Sequence, residues 1–331
     1  MLGVLSDPVT TVAILEVLVG LVLLTKAADV FVDGAVGWAS STNISPIVVG
    51  AVVVGFGTSA PELLVSGIAA VNDDVALGVG NVVGSNVANL SLVLGAAALI
   101  VPILVTRAVL AREAPLSLLG VLVFAYFTID GFARWEGIVM LLLLVVALSW
   151  IVFGSSDDSI EEFDVDDSLT LRMSVLMTSG GLAGTLAGAQ LMVWGATAIA
   201  DRFGLSGGFI GFTLVAVGTS LPELVTAIAA ARKGETELIL GNLLGSNLFN
   251  SLAVGGVIAI VGAGPIGDGL LERYGVTLMV VVAVLAWVFM VGRKRVSHVE
   301  ALILLTVYAA AILLLSDSNM AGSVREFLDV V

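Results

Sequence analysis

The sequence predicts an all-α integral membrane protein of about ten transmembrane helices, built as two five-helix halves inserted in opposite orientations. Three observations carry that expectation: an extreme apolar composition, apolar blocks of membrane-spanning length, and an internal repeat. Of 331 residues, 59% are hydrophobic and 12% charged, with mean hydropathy +1.14, whereas soluble domains carry about 25% charged residues. A packed soluble protein this apolar would lack the polar surface to stay dispersed in water. The apolar blocks run to about 20 residues, the length that crosses a hydrocarbon core. In lipid only helices or a closed barrel satisfy every backbone group internally, and continuous rather than alternating blocks select helices.

Gly, Pro and charge clusters set the boundaries. Helices are expected at roughly 9–32, 44–71, 75–100, 112–129 and 134–154, then at 171–201, 206–232, 236–262, 272–292 and 297–316. The first half is 1–154 and the second 171–331. Between them, 155–170 forms a linker, whose stretch from Ser155 to Ser168 holds seven acidic residues (Asp157, Asp158, Glu161, Glu162, Asp164, Asp166 and Asp167). Such composition reads as a hydrated loop, and no EF-hand spacing suggests a cation site there. The start, MLGVLSDPVT, lacks the basic segment of a signal peptide, so targeting is expected to fall to the first helix.

Basic residues set the orientation. With the N-terminus outside, the inner loops carry Arg107, Arg112, Arg172, Arg232, Lys233, Arg293, Lys294 and Arg295, and the outer ones only Arg134, Arg202, Arg273 and Arg325. This bias puts both termini outside and the acidic linker in the cytoplasm of a multi-pass cell-membrane protein. Five helices per half then start the second half from the opposite side. Net charge −14 argues against nucleic acid as a partner and would suit a prokaryote of salty habitats, where screening blunts self-repulsion. Zero cysteines exclude disulfides and thiolate metal sites. The single histidine, His298, beside Arg293, Lys294 and Arg295, reads as an exposed helix end. No phosphate-binding loop is present, so no nucleotide partner is expected.

Gly50 to Gly95 aligns without a gap to Gly211 to Gly256 at a constant offset of 161, with 19 of 46 positions identical. The two repeats, about 44–100 and 206–262, share two polar blocks. Gly57-Thr58-Ser59-Ala60-Pro61-Glu62-Leu63 matches Gly218-Thr219-Ser220-Leu221-Pro222-Glu223-Leu224. Gly80-Asn81 with Gly84-Ser85-Asn86 and Asn89 matches Gly241-Asn242 with Gly245-Ser246-Asn247 and Asn250.

These blocks carry the chemistry. Glu62 and Glu223 each sit mid-span, where an ionised carboxylate costs about 3 kcal/mol or more unless paired or metal-bound. No Lys or Arg lies in the centre of either block to pair with them, so the two can share a cation. Thr58 and Ser59 precede Glu62 by four and three positions and on a helix would share its face; Thr219 and Ser220 stand likewise to Glu223. Ser85 with Asn89, and Ser246 with Asn250, add an oxygen stripe at i, i+4 in each half. With oxygen donors alone, the set suits calcium or sodium rather than a transition metal. Pro61 and Pro222 are expected to break their helices, freeing carbonyls around Gly55 and Ala216 to face the ion. Gly80, Gly84, Gly241 and Gly245 would allow close helix approach.

On these residues the chain resembles the calcium/cation antiporter superfamily, most nearly its prokaryotic sodium/calcium exchangers. The likeness rests on the doubled GTSxPE and GNxxGSNxxN motifs and extends to the ten-helix layout of nearly the whole chain. It implies exchange of sodium for calcium by alternating access, with no cofactor and no enzymatic activity. It further implies that Glu62 and Glu223 are the central ligands, with Thr58, Ser59, Thr219 and Ser220 beside them and Ser85, Asn89, Ser246 and Asn250 completing the sites. Asn250 departs from the pattern, because some close relatives carry aspartate there. The proton/calcium branch has a similar pair of asparagines, so the resemblance leaves proton coupling open as an alternative; a gated cation channel is a further one.

Single cysteines test the orientation in this cysteine-free chain. An impermeant thiol reagent applied to intact cells is expected to label Ser318→Cys and to spare Ser156→Cys. External labelling at 156 would overturn the topology.

Overall fold

The computed structural model describes residues 8–42, 44–154, 170–202, 216–269 and 271–316. The acidic linker at 155–168, the 206–215 start of the expected seventh helix, and Ser318 all lie outside the described residues.

The chain is helical, in the order α1 (Pro8–Thr42), α2 (Ile47–Thr58), α3 (Ala60–Val71), α4 (Val75–Ile100), α5 (Arg107–Phe127), α6 (Arg134–Phe153), α7 (Leu171–Arg202), α8 (Ala216–Thr219), α9 (Leu221–Lys233), α10 (Thr236–Val261), α11 (Leu271–Arg293) and α12 (His298–Ser316). Among the described residues, six helices are long and apolar enough to cross a membrane, and a seventh span is counted if α2 and α3 form one bent unit. Their outer faces present large apolar side chains such as Leu142, Val145 and Trp150 to the surroundings, the solvent preference of a protein embedded in lipid. This is a helical membrane protein.

Two boundaries differ from the sequence expectation. The first helix runs on to Thr42 instead of stopping near 32, because Asp33 does not end it. Asp33 stands at an exposed helix position and pairs with Lys233 at the end of α9, Nζ to Oδ1 at 2.6 Å. The helix expected from 112 begins at Arg107, where the Thr106 hydroxyl caps the first turn by accepting from the Val109 amide at 3.4 Å. His298 is exposed at the start of α12, as expected.

Local structure repeats at the offset of 161. The pieces 55–58, 60–71, 75–88, 89–93 and 94–100 are matched by 216–219, 221–233, 236–249, 250–254 and 255–261. In both copies the long helix, α4 or α10, carries a π-turn opening on asparagine, Asn89–Val93 and Asn250–Val254. Such turns favour functional sites because they reorient side chains within a continuous helix. Loops tie the copies together. Ile103 and Leu104, after α4, pair with Val296 and Arg295, before α12. Phe132, before α6, exchanges two backbone bonds of 2.8 Å with Gly264, after α10.

The core around the motifs is built on close backbone contact. A Cβ on Gly241 would lie 2.4 Å from the Ile47 carbonyl, and one on Gly245 2.4 Å from that of Ala51, so α10 seats directly on α2. Gly80 differs from the sequence expectation, since its added Cβ would meet only Leu271 at 3.7 Å. The longest seam joins α1 to α7. Cβ atoms at Gly181, Gly188 and Gly195 would meet the backbone of Phe31, Leu24 and Ala13 at 2.4–2.5 Å. Small residues serve this purpose in lipid, where packing rather than apolar burial drives helix association.

Gly188→Ala should therefore cost about 1–3 kcal/mol of stability by overpacking, read as an earlier thermal unfolding transition in detergent. Gly180→Ala, where an added methyl meets nothing within 4 Å, should leave that transition unchanged.

Candidate cation site

Each motif helix breaks at the serine before its Pro-Glu pair. Ser59 and Ser220 adopt φ/ψ of −84/5° and −88/4°, and α3 and α9 restart at the next residue. Pro61 and Pro222 thus occupy the second position of a new helix, where a missing amide proton costs nothing. The bend between α2 and α3 is 44°. The prolines do mark a break, but it does not free the Gly55 carbonyl, which accepts from the Ser59 amide at 3.2 Å and from the Ser246 hydroxyl at 3.1 Å. Ala216, the first described residue of its stretch, lies in α8. Both glutamates fall in the first turn of their helices, where the helix dipole favours negative charge.

The break also changes who meets whom. Thr58 and Ser59 do not line up with Glu62 on one continuous helix face, as the sequence spacing suggested; they reach into the other repeat. Ser59 Oγ donates to Glu223 Oε1 at 3.4 Å. Thr58 Oγ1 donates to Asn242 Oδ1 at 3.2 Å and lies 3.4 Å from Ser246 Oγ. In the opposite sense, Thr219 Oγ1 donates to Asn81 Oδ1 at 3.3 Å. Ser85 Oγ supports its own repeat's glutamate, donating to Glu62 Oε1 at 3.4 Å. Asn89 Nδ2 donates to Asn247 Oδ1 at 3.0 Å.

The ten polar side chains singled out in the sequence (Thr58, Ser59, Glu62, Ser85, Asn89, Thr219, Ser220, Glu223, Ser246 and Asn250) are all buried. Several present oxygens with no hydrogen-bond partner among the described residues: Glu62 Oε2, Glu223 Oε2, Ser220 Oγ, Asn89 Oδ1 and Asn250 Oδ1. Buried polar atoms are paired as a rule; these orphan oxygens, which outnumber the orphan donors Asn242 Nδ2 and Asn250 Nδ2 of the same motifs, could accept from a donor or a cation. No Lys or Arg pairs with either glutamate among the described residues; the buried Glu113, by contrast, pairs with Arg112 at 2.6 Å. Two buried carboxylates among neutral oxygens fit a hard cation. Among the described residues no cluster of three or more His, Cys, Asp or Glu exists to hold a transition metal.

Sequence reasoning undervalued the asparagines. Asn81 and Asn242 receive the threonine hydroxyls across the repeat, and Asn86 and Asn247 lock the two long helices, with Asn86 Nδ2 on Ser251 Oγ at 3.0 Å. Ser66, which accepts from Asn81 Nδ2 at 2.9 Å, was missed altogether. The exact duplication of Gly-Asn and Ser-Asn was the available signal for the asparagines; Ser66 has no counterpart in the second half and so left none.

A helical membrane protein with a sealed, oxygen-lined, two-carboxylate centre has the build of a secondary cation transporter. The chain belongs to the sodium/calcium exchanger protein family, whose model matches residues 12–153 and 173–316. It is 41% identical over 308 residues to the putative antiporter CaxA of Alkalimonas amylolytica, covering 90% of this chain and 96% of that one. It is 28% identical over 354 residues to the sodium/calcium exchanger MaX1 of Methanosarcina acetivorans, with 92% and 99% covered. Among solved structures, the sodium-calcium exchanger NCX_Mj soaked with 10 mM Na+ and 10 mM Sr2+ matches with a TM-score of 0.82 at 33% identity, covering 92% of this chain and 98% of that one. These relatives are antiporters and exchangers; the chain is a membrane antiporter and not an enzyme.

Glu62→Gln and Glu223→Gln each leave one carboxylate against a divalent ion in a low-dielectric interior. Each should weaken calcium binding on the order of 100-fold or more, measured by calorimetry on protein that still elutes as a single species. Calcium binding of normal strength in either variant would place the ion elsewhere.

Proposed function

We propose that the protein is a secondary active antiporter exchanging calcium for sodium across the cell membrane by alternating access. The observation that carries this reading is the pair of buried glutamates, each with an unpartnered oxygen and, among the described residues, without a cationic neighbour. Glu62 and Glu223, with Thr58, Ser59, Thr219, Ser220, Ser85, Asn89, Ser246 and Asn250, form the ion sites, while the Gly55 carbonyl is taken up by Ser59 and Ser246. Two carboxylates neutralise one calcium or two sodium ions but not both loads together. Occupancy by one ion therefore excludes the other, which is the condition for exchange rather than co-transport. Neither site residue nor fold calls for a cofactor, and gradients supply the driving force, including about 2.3 kcal/mol per net charge per 100 mV.

The two halves, 1–154 and 171–331, are inverted five-helix repeats joined by a cytoplasmic acidic linker at 155–170. Loop pairing supports the inversion. The C-terminal end of α4 leads to Ile103, and that of α10 leads to Gly264, the partner of Phe132. Residues 103 and 132 lie beyond opposite ends of α5, so the matched helices α4 and α10 finish on opposite faces wherever α5 spans. Lys233 meeting Asp33 supports putting the ends of α9 and α1 on one face, the cytoplasmic one by the basic bias. Both termini are then outside, and the charge of −14 suits a prokaryote of high-salt habitat. A gated channel is disfavoured by the sealed, fully buried centre.

Calcium flux in proteoliposomes tests the coupling. Wild-type protein should take up calcium against an outward sodium gradient without potassium. Asn250→Asp adds a third carboxylate without much change of shape, and should shift the apparent sodium or pH dependence more than the calcium affinity. If wild-type uptake ignores sodium but follows a proton gradient of equal size, proton/calcium exchange replaces this reading.

A further inference from the structure

The π-turn that opens on asparagine in α4 packs against α10, and the one in α10 packs against α4. The offset of 161 places Asn250 at the position of Asn89 and Asn247 at that of Asn86. Contact between Asn89 and Asn247 therefore has its equivalent in Asn250 and Asn86. The first contact is made: Asn89 Nδ2 donates to Asn247 Oδ1 at 3.0 Å, and Asn89 Oδ1 is left without a partner among the described residues. The second is not made. Asn250 Nδ2, Asn250 Oδ1 and Asn86 Oδ1 are all buried and without a partner among the described residues.

The sequence differs at this point too. Ser251 stands where the first repeat has Leu90, and it accepts from Asn86 Nδ2 at 3.0 Å, with Met279 Sδ 3.4 Å from the same nitrogen. A thioether sulfur only accepts, so the Asn86 carboxamide is held by its nitrogen and Oδ1 is the end left over. A neutral asparagine serves a hard cation through its oxygen, and its amide protons would repel the ion. Asn89 is already oriented for that task, nitrogen bonded and oxygen open. Asn250 lacks an orienting bond, and the acceptor at the equivalent place is Asn86 Oδ1, itself in want of a donor.

We propose that Asn86 is a positioning residue for the cation site: its Oδ1 accepts from Asn250 Nδ2 while Asn250 holds a cation, which turns Asn250 Oδ1 to the ion. That bond repeats Asn89 to Asn247 in the other half and ties α10 to α4 as the ion is held. This inference rests on the reading of Asn250 as an ion ligand.

The test is titration of purified full-length protein with calcium chloride by calorimetry at fixed low sodium, beside calcium exchange in proteoliposomes. Asn86→Leu removes the acceptor at similar size and should raise the half-saturating calcium concentration about fivefold, the equivalent of one net buried hydrogen bond. Asn250→Asp presents oxygen at both ends and needs no orienting, so adding Asn86→Leu to it should leave half-saturation where Asn250→Asp alone sets it. A merely structural role for Asn86 would weaken calcium equally in both backgrounds. Ser251→Ala releases the hold on Asn86 and should raise half-saturation about twofold, again only where residue 250 is asparagine, which keeps the test open if Asn86→Leu does not fold. Wild-type half-saturation in folded Asn86→Leu, or failing that in Ser251→Ala, would overturn the proposal, and so would equal losses in the two backgrounds. Wild-type protein that binds calcium but does not exchange it would refute the antiport reading while the Asn86 comparison is still read by calorimetry; wild-type protein that binds no calcium overturns both.

Discussion

Two carboxylates, Glu62 and Glu223, are wholly buried in the middle of a membrane protein and face no positive side chain among the described residues. An ionised group so placed costs several kcal/mol, and the surrounding structure is arranged around that cost. Helices α3 and α9 begin just before the glutamates, so their first turns present positive dipole ends to the charges. Hydroxyls of Ser59 and Ser85 donate to one oxygen of each carboxylate and leave the other oxygen open. The proposed cation completes what these neutral donors leave undone.

That centre demands backbone in unusual places. A break inside a membrane helix exposes polar groups that lipid cannot satisfy. Here the breaks at Ser59 and Ser220 are tolerated because they are buried against the opposite repeat. The Gly55 carbonyl, for example, accepts from Ser246 as well as from its own helix. Such contact needs α10 to lie almost backbone to backbone on α2, which Gly241 and Gly245 permit. The glycines are thus part of the same solution as the glutamates, acting through distance rather than through charge.

Exchange of hydroxyl partners between repeats gives the site its cross-linked character. Thr58 bonds to Asn242 and Thr219 to Asn81, so each broken helix is read by the unbroken helix of the other copy. A shift of one repeat against the other would alter both contacts together. Alternating access, as proposed, would use that linkage.

The sequence by itself determined the class of molecule and the inventory of its centre. Long apolar blocks admit no solution but spanning helices, and a duplicated set of Glu, Ser, Thr and Asn in such blocks marks where the buried polar centre lies. Helix ends followed where local chemistry rules, as at Leu171 and Thr236, and failed at Asp33, whose charge is met by Lys233 some 200 residues away. Tertiary structure alone decided the pairing. Spacing along one helix assigned Thr58 and Ser59 to Glu62, but the chain breaks at Ser59, and local periodicity carries no information across a break. Which hydroxyl faces which carboxylate, why Gly80 has room where Gly241 has none, and that Ser66 braces Asn81 all depend on how two similar segments meet, because those contacts join residues far apart in the chain.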